Sequence, residues 1–142
     1  MKELLIKSGE YEINLNLRSN MTIINGETAT GKSFFYDKMK RVEDRDDIIC
    51  INYENVRPKA NYDAMVNTIK QSKDKIFVID QADDIQRKDA SLMYAINMDS
   101  GTNTFIVIGR KPKLIYNMSD IAEMDISNNK IKLKYSFDEP LV

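Results

Sequence analysis

The sequence is short of residues on which protein chemistry often depends. It contains no histidine, which excludes histidine-based acid–base catalysis and histidine metal ligands. Its single cysteine, Cys50, excludes an internal disulfide and a cysteine-rich metal site. Histidine chemistry, disulfide bonds and cysteine-rich metal sites can therefore be set aside.

The sequence also lacks an excess of charge and long apolar runs. Its 21 lysines and arginines nearly balance 22 aspartates and glutamates, so the net charge of −1 gives no broad attraction to nucleic acid or an anionic membrane. No apolar run approaches the length of a membrane span, and the apolar core at residues 4–6 is too short for a signal peptide. With 142 residues, we expect one cytoplasmic domain over residues 1–142.

One stretch is far more specific. Residues 26–33, here called the phosphate loop, fit the Walker A pattern G-x-x-x-x-G-K-[ST] with Gly26, Glu27, Thr28, Ala29, Thr30, Gly31, Lys32 and Ser33. Gly26 and Gly31 permit backbone angles that let successive N–H groups turn toward an anion. Lys32 would place its charge on the β- and γ-phosphates of a nucleotide, and Ser33 would offer its hydroxyl to Mg²⁺.

The segments on either side support this interpretation, because a phosphate loop needs a strand before it and a helix after it. Residues 21–25 are a short apolar run with β-branched members, which predicts the strand. Phe35, Met39 and Val42 recur on one face of a helix. The positive end of that helix would point at the same phosphates.

A second motif follows at residues 76–80. Four apolar residues, Ile76 to Ile79, predict a buried parallel strand that ends in Asp80. Ligands of open α/β sheets bind at this carboxyl edge, and an aspartate there holds Mg²⁺ in the Walker B pattern. The pattern is weak alone, but it becomes strong downstream of a phosphate loop, so we predict that Ser33 and Asp80 bind the metal ion.

The rest of the chain predicts an α/β fold. Apolar runs at residues 48–53 and 104–108 predict further buried strands, and helical patterns lie between the strands. We therefore expect a mostly parallel sheet flanked by helices. Alternating residues at 2–17 and 122–137 predict antiparallel hairpins at both termini.

On these motifs the chain resembles the P-loop NTPases and, among them, the ATP-binding domains of ABC and AAA-type ATPases. The resemblance covers the layout of about residues 10–135, but only residues 26–33 and 76–80 are specific. It implies a three-layer P-loop NTPase fold, with ATP and Mg²⁺ as ligands. It also implies that the phosphate loop contacts the nucleotide and that Ser33 and Asp80 contact the metal ion.

The sequence departs from those families at the catalytic positions. Gln81 stands where they place a catalytic glutamate, and an amide can orient a water but cannot take its proton. Asp83 and Asp84 follow, and helix capping is their expected role. An LSGGQ-like signature is absent, and Arg110 or Gly109 lies near the expected place of the ABC switch histidine. Gln81 and Arg110 are therefore the catalytic candidates, with Arg110 completing the site of a neighbouring subunit.

Three functions fit these features. The first is an ATPase that is slow or depends on assembly with copies of itself or a partner protein. The second is an interaction or regulatory module that binds nucleotide without hydrolysing it. The third, a small-molecule kinase, is the least favoured because no insertion of lid length is evident. ATP is the expected nucleotide because the sequence has no Asn-Lys-x-Asp motif for guanine.

Overall fold

The computed structural model describes residues 2–25, 32–42, 45–99, 102–109 and 120–135. Within these ranges the strands are β1 Lys2–Ser8, β2 Tyr11–Leu17, β3 Met21–Asn25, β4 Ile48–Ile51, β5 Ile76–Ile79, β6 Thr104–Gly109, β7 Asp120–Ser127 and β8 Lys130–Tyr135. The helices are α1 Lys32–Lys40, α2 Tyr53–Val56, α3 Lys59–Gln71, α4 Ala82–Lys88 and α5 Ser91–Met98.

The described strands form one mixed sheet in the order β1-β2-β8-β7-β3-β6-β5-β4. The five strands from β7 to β4 are parallel to one another. Antiparallel pairing joins β1 to β2 and β7 to β8, and a short parallel contact joins β2 to β8. The sheet is therefore parallel on the side of the two motif strands, β3 and β5, and mixed on the other side.

Alternate side chains of the central strands enter two separate cores. Phe77 and Phe105 pack with helices α2 to α5 on what we call the four-helix face. Val78 and Ile106 pack with α1 on the opposite side, called the α1 face. Strands β5 and β6 are buried along their whole length, because both of their faces are covered.

The direction of the crossovers explains why α1 lies apart from the other helices. The crossover from β3 to β4 runs to the far edge of the sheet, and the next two return through β5 to β6. Crossovers between parallel strands are almost always right-handed, so crossovers in opposite directions must pass over opposite faces. Among the described helices, α1 follows the phosphate loop and lies on one face, while α2 to α5 lie on the other.

The first hairpin curls over this face and contacts α1. The Ser8 hydroxyl donates a hydrogen bond to the Lys38 carbonyl oxygen at 2.8 Å. The rings of Tyr11 and Phe34 meet edge to face with 4.9 Å between their centroids. Hydrophobic side chains of β1 and β2, among them Ile13, join the α1-face core. Among the described elements, the hairpin and α1 therefore cover this face of the sheet together.

Several predictions are confirmed and two are corrected. The α/β class, the strand at 21–25, the strand at 76–79 and both terminal hairpins are confirmed. The strand at residues 48–51 is an edge strand and is only partly buried, whereas its apolar sequence predicts burial on both faces. Among the described residues, no helix is long and apolar enough to cross a membrane.

The second correction concerns the segment between β5 and β6, where the sequence predicts one helix that is capped by Asp83 or Asp84 and runs to about Met98. The structure has two helices there, with a break at Asp89 and Ala90. Asp89 accepts hydrogen bonds from the Ser91 backbone N–H and hydroxyl at 2.9 and 2.7 Å, so it restarts the chain as α5. An aspartate that bonds nearby backbone groups competes with helix continuation.

Candidate functional site

Strand β3 ends at Asn25 and α1 begins at Lys32, so the predicted strand and helix border the phosphate loop. Gly26, Glu27, Thr28, Ala29, Thr30 and Gly31 lie outside the described residues, as does Arg110. The backbone of Lys32 and Ser33 opens α1, while their side chains also lie outside the description. The contacts predicted for these residues therefore stay predictions.

The register of the sheet brings the carboxyl ends of β3, β6 and β5 to one level. Asn25 pairs with Gly109, and Ile79 pairs with Val107. Asp80 thus follows β5 close to the end of β3, with β6 between them. Since neighbouring strands lie about 4.8 Å apart, the two motif strands are separated by about 10 Å.

Strand periodicity places Asp80 on the α1 face. Ile76 and Val78 belong to the α1-face core, and Asp80 follows them with the same spacing of two. Its backbone N–H donates to the Ile51 carbonyl oxygen at 2.8 Å, which extends the pairing with β4. Its Oδ1 accepts from the Gln81 N–H at 2.9 Å, so the carboxylate is anchored at the sheet edge beside the helix that Lys32 and Ser33 begin.

The helices that follow β3 and β5 lie on opposite faces of the sheet, since α1 covers one face and α4 the other. In open α/β sheets, ligands bind at the carboxyl ends of the strands, at the point where consecutive helices change face. The end of β6, between β3 and β5, is that point in this sheet.

Gln81 belongs to the other face. Its backbone has φ 57° and ψ 41°, the left-handed conformation that is uncommon outside glycine, and it stands at the N-cap position of α4. Its Oε1 accepts from the Tyr53 N–H at 3.1 Å, at the start of α2. The side chain thereby ties the end of β5 to the segment after β4. Asp83 and Asp84 lie in the first turn of α4 and do not cap it, which corrects the capping prediction.

Gly109 ends β6, between β3 and β5. A Cβ at this position would lie 3.1 Å from Oδ1 of Asp83, closer than ordinary contacts allow, so glycine lets the first turn of α4 approach the strand end. The Asp83 carboxylate thus lies against the end of β6, whereas Asp84 forms an ion pair with Arg87. A second carboxylate at this edge of the sheet is a feature that the capping interpretation missed.

Tyr36 is the residue that sequence reasoning overlooked. It lies on α1 in the α1-face core and is 6% exposed. Among the described residues its hydroxyl has no hydrogen-bond partner. Burial raises the pKa of this phenol well above its usual range, and the charges of Cys50 and Asp80 raise it further. The hydroxyl therefore stays protonated close to the carboxylate of the second motif.

Cys50 lies on β4 beside Val78, at the margin of the same core. Burial raises its pKa from 9.0 to about 11, against the opposing effect of Lys40. A thiol with a raised pKa is a poor nucleophile at neutral pH. Cys50 is therefore a packing residue, as its apolar neighbours in the sequence suggest.

If a metal ion binds at this edge, Asp80 would be one of its protein ligands. Within the described residues, no group of three Asp, Glu, Cys or His side chains comes together. Mg²⁺ commonly uses one or two protein oxygens with water and the phosphates of its ligand. Asp80 supplies one such protein oxygen, at the edge beside the start of α1.

The sequence was also compared with known proteins. No protein-family model matches the chain, and no curated protein matches it significantly.

Proposed function

We propose that this chain binds Mg²⁺–ATP at the carboxyl edge of its sheet, as a three-layer P-loop NTPase. The observation that carries the proposal is that β3 ends and Asp80 follows β5 at one edge of the sheet, with α1 and Asp80 on the same face. The phosphate loop joins β3 to α1, and Asp80 follows β5 on the α1 face. A glycine-rich turn without a ligand would not require a carboxylate at that position.

Each proposed contact has a physical reason. Backbone N–H groups of residues 26–31 and the positive end of α1 favour an anion. Lys32 would add a full positive charge at the β- and γ-phosphates. Ser33 and Asp80 would hold Mg²⁺, which neutralises charge on the phosphates when bound. Such a protein would act in the cytoplasm, where ATP is available.

Hydrolysis is proposed to be slow. Gln81 cannot accept a proton from water, and its Oε1 is engaged with the Tyr53 N–H. Without a general base, a rate penalty of about 10²–10⁴ is expected. Among the described residues, the Asp83 carboxylate beside Gly109 is the candidate for the base that Gln81 cannot supply. The engaged amide also favours the second candidate, a module that uses nucleotide to fix a conformation without turnover.

A neighbouring copy or a partner protein would raise the rate by completing the site. Arg110 follows Gly109, the last residue of β6, in the sequence. An arginine inserted into a neighbour's site stabilises charge in the transition state. If this holds, specific activity rises with protein concentration, and Arg110→Ala abolishes the rise. Activity that is independent of concentration contradicts this role.

Nucleotide binding and phosphate release, measured on the same sample, test the proposal. Binding of a fluorescent ATP analogue with Mg²⁺ and slow phosphate release support the ATPase. Binding without release supports the interaction module. Release that appears only with an added acceptor identifies a kinase. Failure to bind ATP, with or without Mg²⁺, refutes the nucleotide site.

A further inference from the structure

The hydroxyl of Tyr36 contributes no hydrogen bond to the packing of α1 among the described residues. The residue is buried, yet within the described part of the chain its oxygen has no hydrogen-bond partner. Buried polar groups without partners are rare in native proteins, and each needs an explanation. The two preceding residues, Phe34 and Phe35, are phenylalanines on the same helix. A phenylalanine at position 36 would fill the same space without an unpaired hydroxyl.

Tyr36 and Asp80 lie on the same face of the sheet. Tyr36 is on α1, one turn after Lys32 and Ser33, and its side chain belongs to the α1-face core. Cys50 and Val78 pair in two neighbouring strands, and Asp80 continues the row of β5 on this face. Cys50 and Asp80 are close enough for their charges to act on the phenol. The buried phenol is therefore an O–H donor in the same region as the Asp80 carboxylate.

We propose that Tyr36 is a positioning residue of the magnesium site, whose hydroxyl donates a hydrogen bond to the Asp80 carboxylate when Mg²⁺–nucleotide binds. This inference rests on the proposed function. A carboxylate has about four acceptor sites, so Asp80 can serve the metal, the Gln81 N–H and the phenol together. Partners that orient a metal ligand change metal affinity by about 10–100-fold when removed.

The test compares Tyr36→Phe with Thr22→Val. Thr22 carries the other buried hydroxyl that lacks a partner among the described residues, and it lies on β3 away from the carboxyl edge. Each substitution deletes one unpaired hydroxyl and preserves the shape. Both should leave the melting temperature of the nucleotide-free protein unchanged or raised, since neither loses a hydrogen bond.

The two variants should then differ in binding. In Mg²⁺, Tyr36→Phe should weaken ATP binding by about tenfold, the low end of the effect of losing such a partner. In EDTA the same variant should bind ATP like the wild type, because the hydroxyl acts through the metal ligand. Thr22→Val should match the wild type in both conditions. The ratio of the two dissociation constants is a readout that a packing defect would not change.

Each alternative result overturns a defined claim. If Tyr36→Phe binds ATP as tightly as the wild type in Mg²⁺, the positioning role is wrong and the nucleotide site stands. If it loses affinity equally in Mg²⁺ and EDTA, the tyrosine supports the fold and not the metal. If Thr22→Val shows the same metal-dependent loss, the effect is not specific to Tyr36. If the wild type does not bind ATP, the proposed function and this inference fail together.

Discussion

Tyr62 and Tyr36 are both buried tyrosines, but they lie on opposite faces of the sheet and their hydroxyls have different surroundings. On the four-helix face, the Tyr62 hydroxyl donates to the Asp89 carbonyl oxygen at 2.6 Å and accepts from the Leu92 N–H at 2.7 Å. On the α1 face, the hydroxyls of Tyr36 and Thr22 have no partner within the described residues.

The difference separates a scaffold from a site. Tyr62 links α3 to the break between α4 and α5, so the hydroxyl satisfies backbone groups that the break would leave unpaired. Each buried polar group without a partner needs an explanation. Of the two such hydroxyls among the described residues, Tyr36 is the one near Asp80, at the edge where the ligand is proposed to bind.

The largest expected effect is on the α1 face. At ATP concentrations of about 100 times the dissociation constant, binding stabilises a protein by about 2.7 kcal/mol. Lys32→Ala should remove most of this stabilisation, because the charge on the phosphates is lost. Melting with and without Mg²⁺–ATP measures the shift, and Lys40→Ala in the last turn of α1 controls for the loss of a lysine. A full shift in Lys32→Ala contradicts the phosphate assignment.

On the four-helix face, loss of a buried hydroxyl should lower the stability of the ligand-free protein. Tyr62→Phe leaves the Leu92 N–H without its acceptor, so the free energy of unfolding should fall by about 1–3 kcal/mol. Tyr94→Phe is the control, because Tyr94 is 65% exposed. Urea unfolding compares these variants with Tyr36→Phe. Equal losses in Tyr62→Phe and Tyr36→Phe would remove the distinction between the faces.

Metal dependence should distinguish Asp80 from other acidic residues. Asp80→Asn keeps an oxygen that can accept from the Gln81 N–H but loses the negative charge. ATP binding in Mg²⁺ should weaken by at least about tenfold, or about 1.4 kcal/mol, with little change in EDTA. Asp37→Asn, an exposed position on α1, is the matched control. Equal losses in Mg²⁺ and EDTA mean that Asp80 is structural. Ser33→Ala is expected to follow the same pattern.

Local patterns in the sequence predict the elements of both faces. The apolar runs at 76–79 and 104–108 and the alternating termini give the strands, because side-chain period follows burial. The phosphate loop and Asp80 are recognisable because binding of phosphate and Mg²⁺ requires these residue types in this pattern. Edge exposure of β4 is not predictable this way, since strand order depends on pairings that a single segment does not encode.

The features that sequence reasoning missed depend on distant residues. The break before α5 is supported by Tyr62, which lies 30 positions before Leu92. The left-handed Gln81 is tied to Tyr53, 28 positions away. Within the described part of the chain, the hydroxyl of Tyr36 is unpaired because α1 lies on the face opposite to α2 to α5, where those helices supply no hydrogen-bond partner. Each needs the fold before it can be seen.

The rate of ATP hydrolysis should change when Gln81 is replaced. Gln81→Glu supplies a carboxylate that can take a proton from water, so phosphate release at saturating ATP should rise tenfold or more, which equals about 1.4 kcal/mol or more in activation free energy. Glutamate retains an oxygen that can accept from the Tyr53 N–H. Gln81→Ala tests whether release from Tyr53 alone raises the rate. No gain in Gln81→Glu, with binding intact, favours the module that does not hydrolyse ATP.

The smallest effect is expected at the margin of the α1 face, where Cys50 is only partly buried on the edge strand. Burial raises the pKa of its thiol from 9.0 to about 11, so the folded protein holds this proton more tightly than the unfolded chain does. The contribution to stability is complete below about pH 9 and is lost as the pH rises toward 11, because only the unfolded thiol ionises in that window. Cys50→Ala removes this dependence.

Tyrosines and lysines also titrate in this range, so the informative quantity is the difference between wild type and Cys50→Ala. Urea unfolding at about pH 8 and again at about pH 10.5 gives that difference. We expect the stability of the wild type relative to Cys50→Ala to fall at the higher pH. A constant difference would mean that solvent reaches the thiol freely, and the α1 face would then be more open at β4 than the packing of Cys50 against the α1-face core indicates.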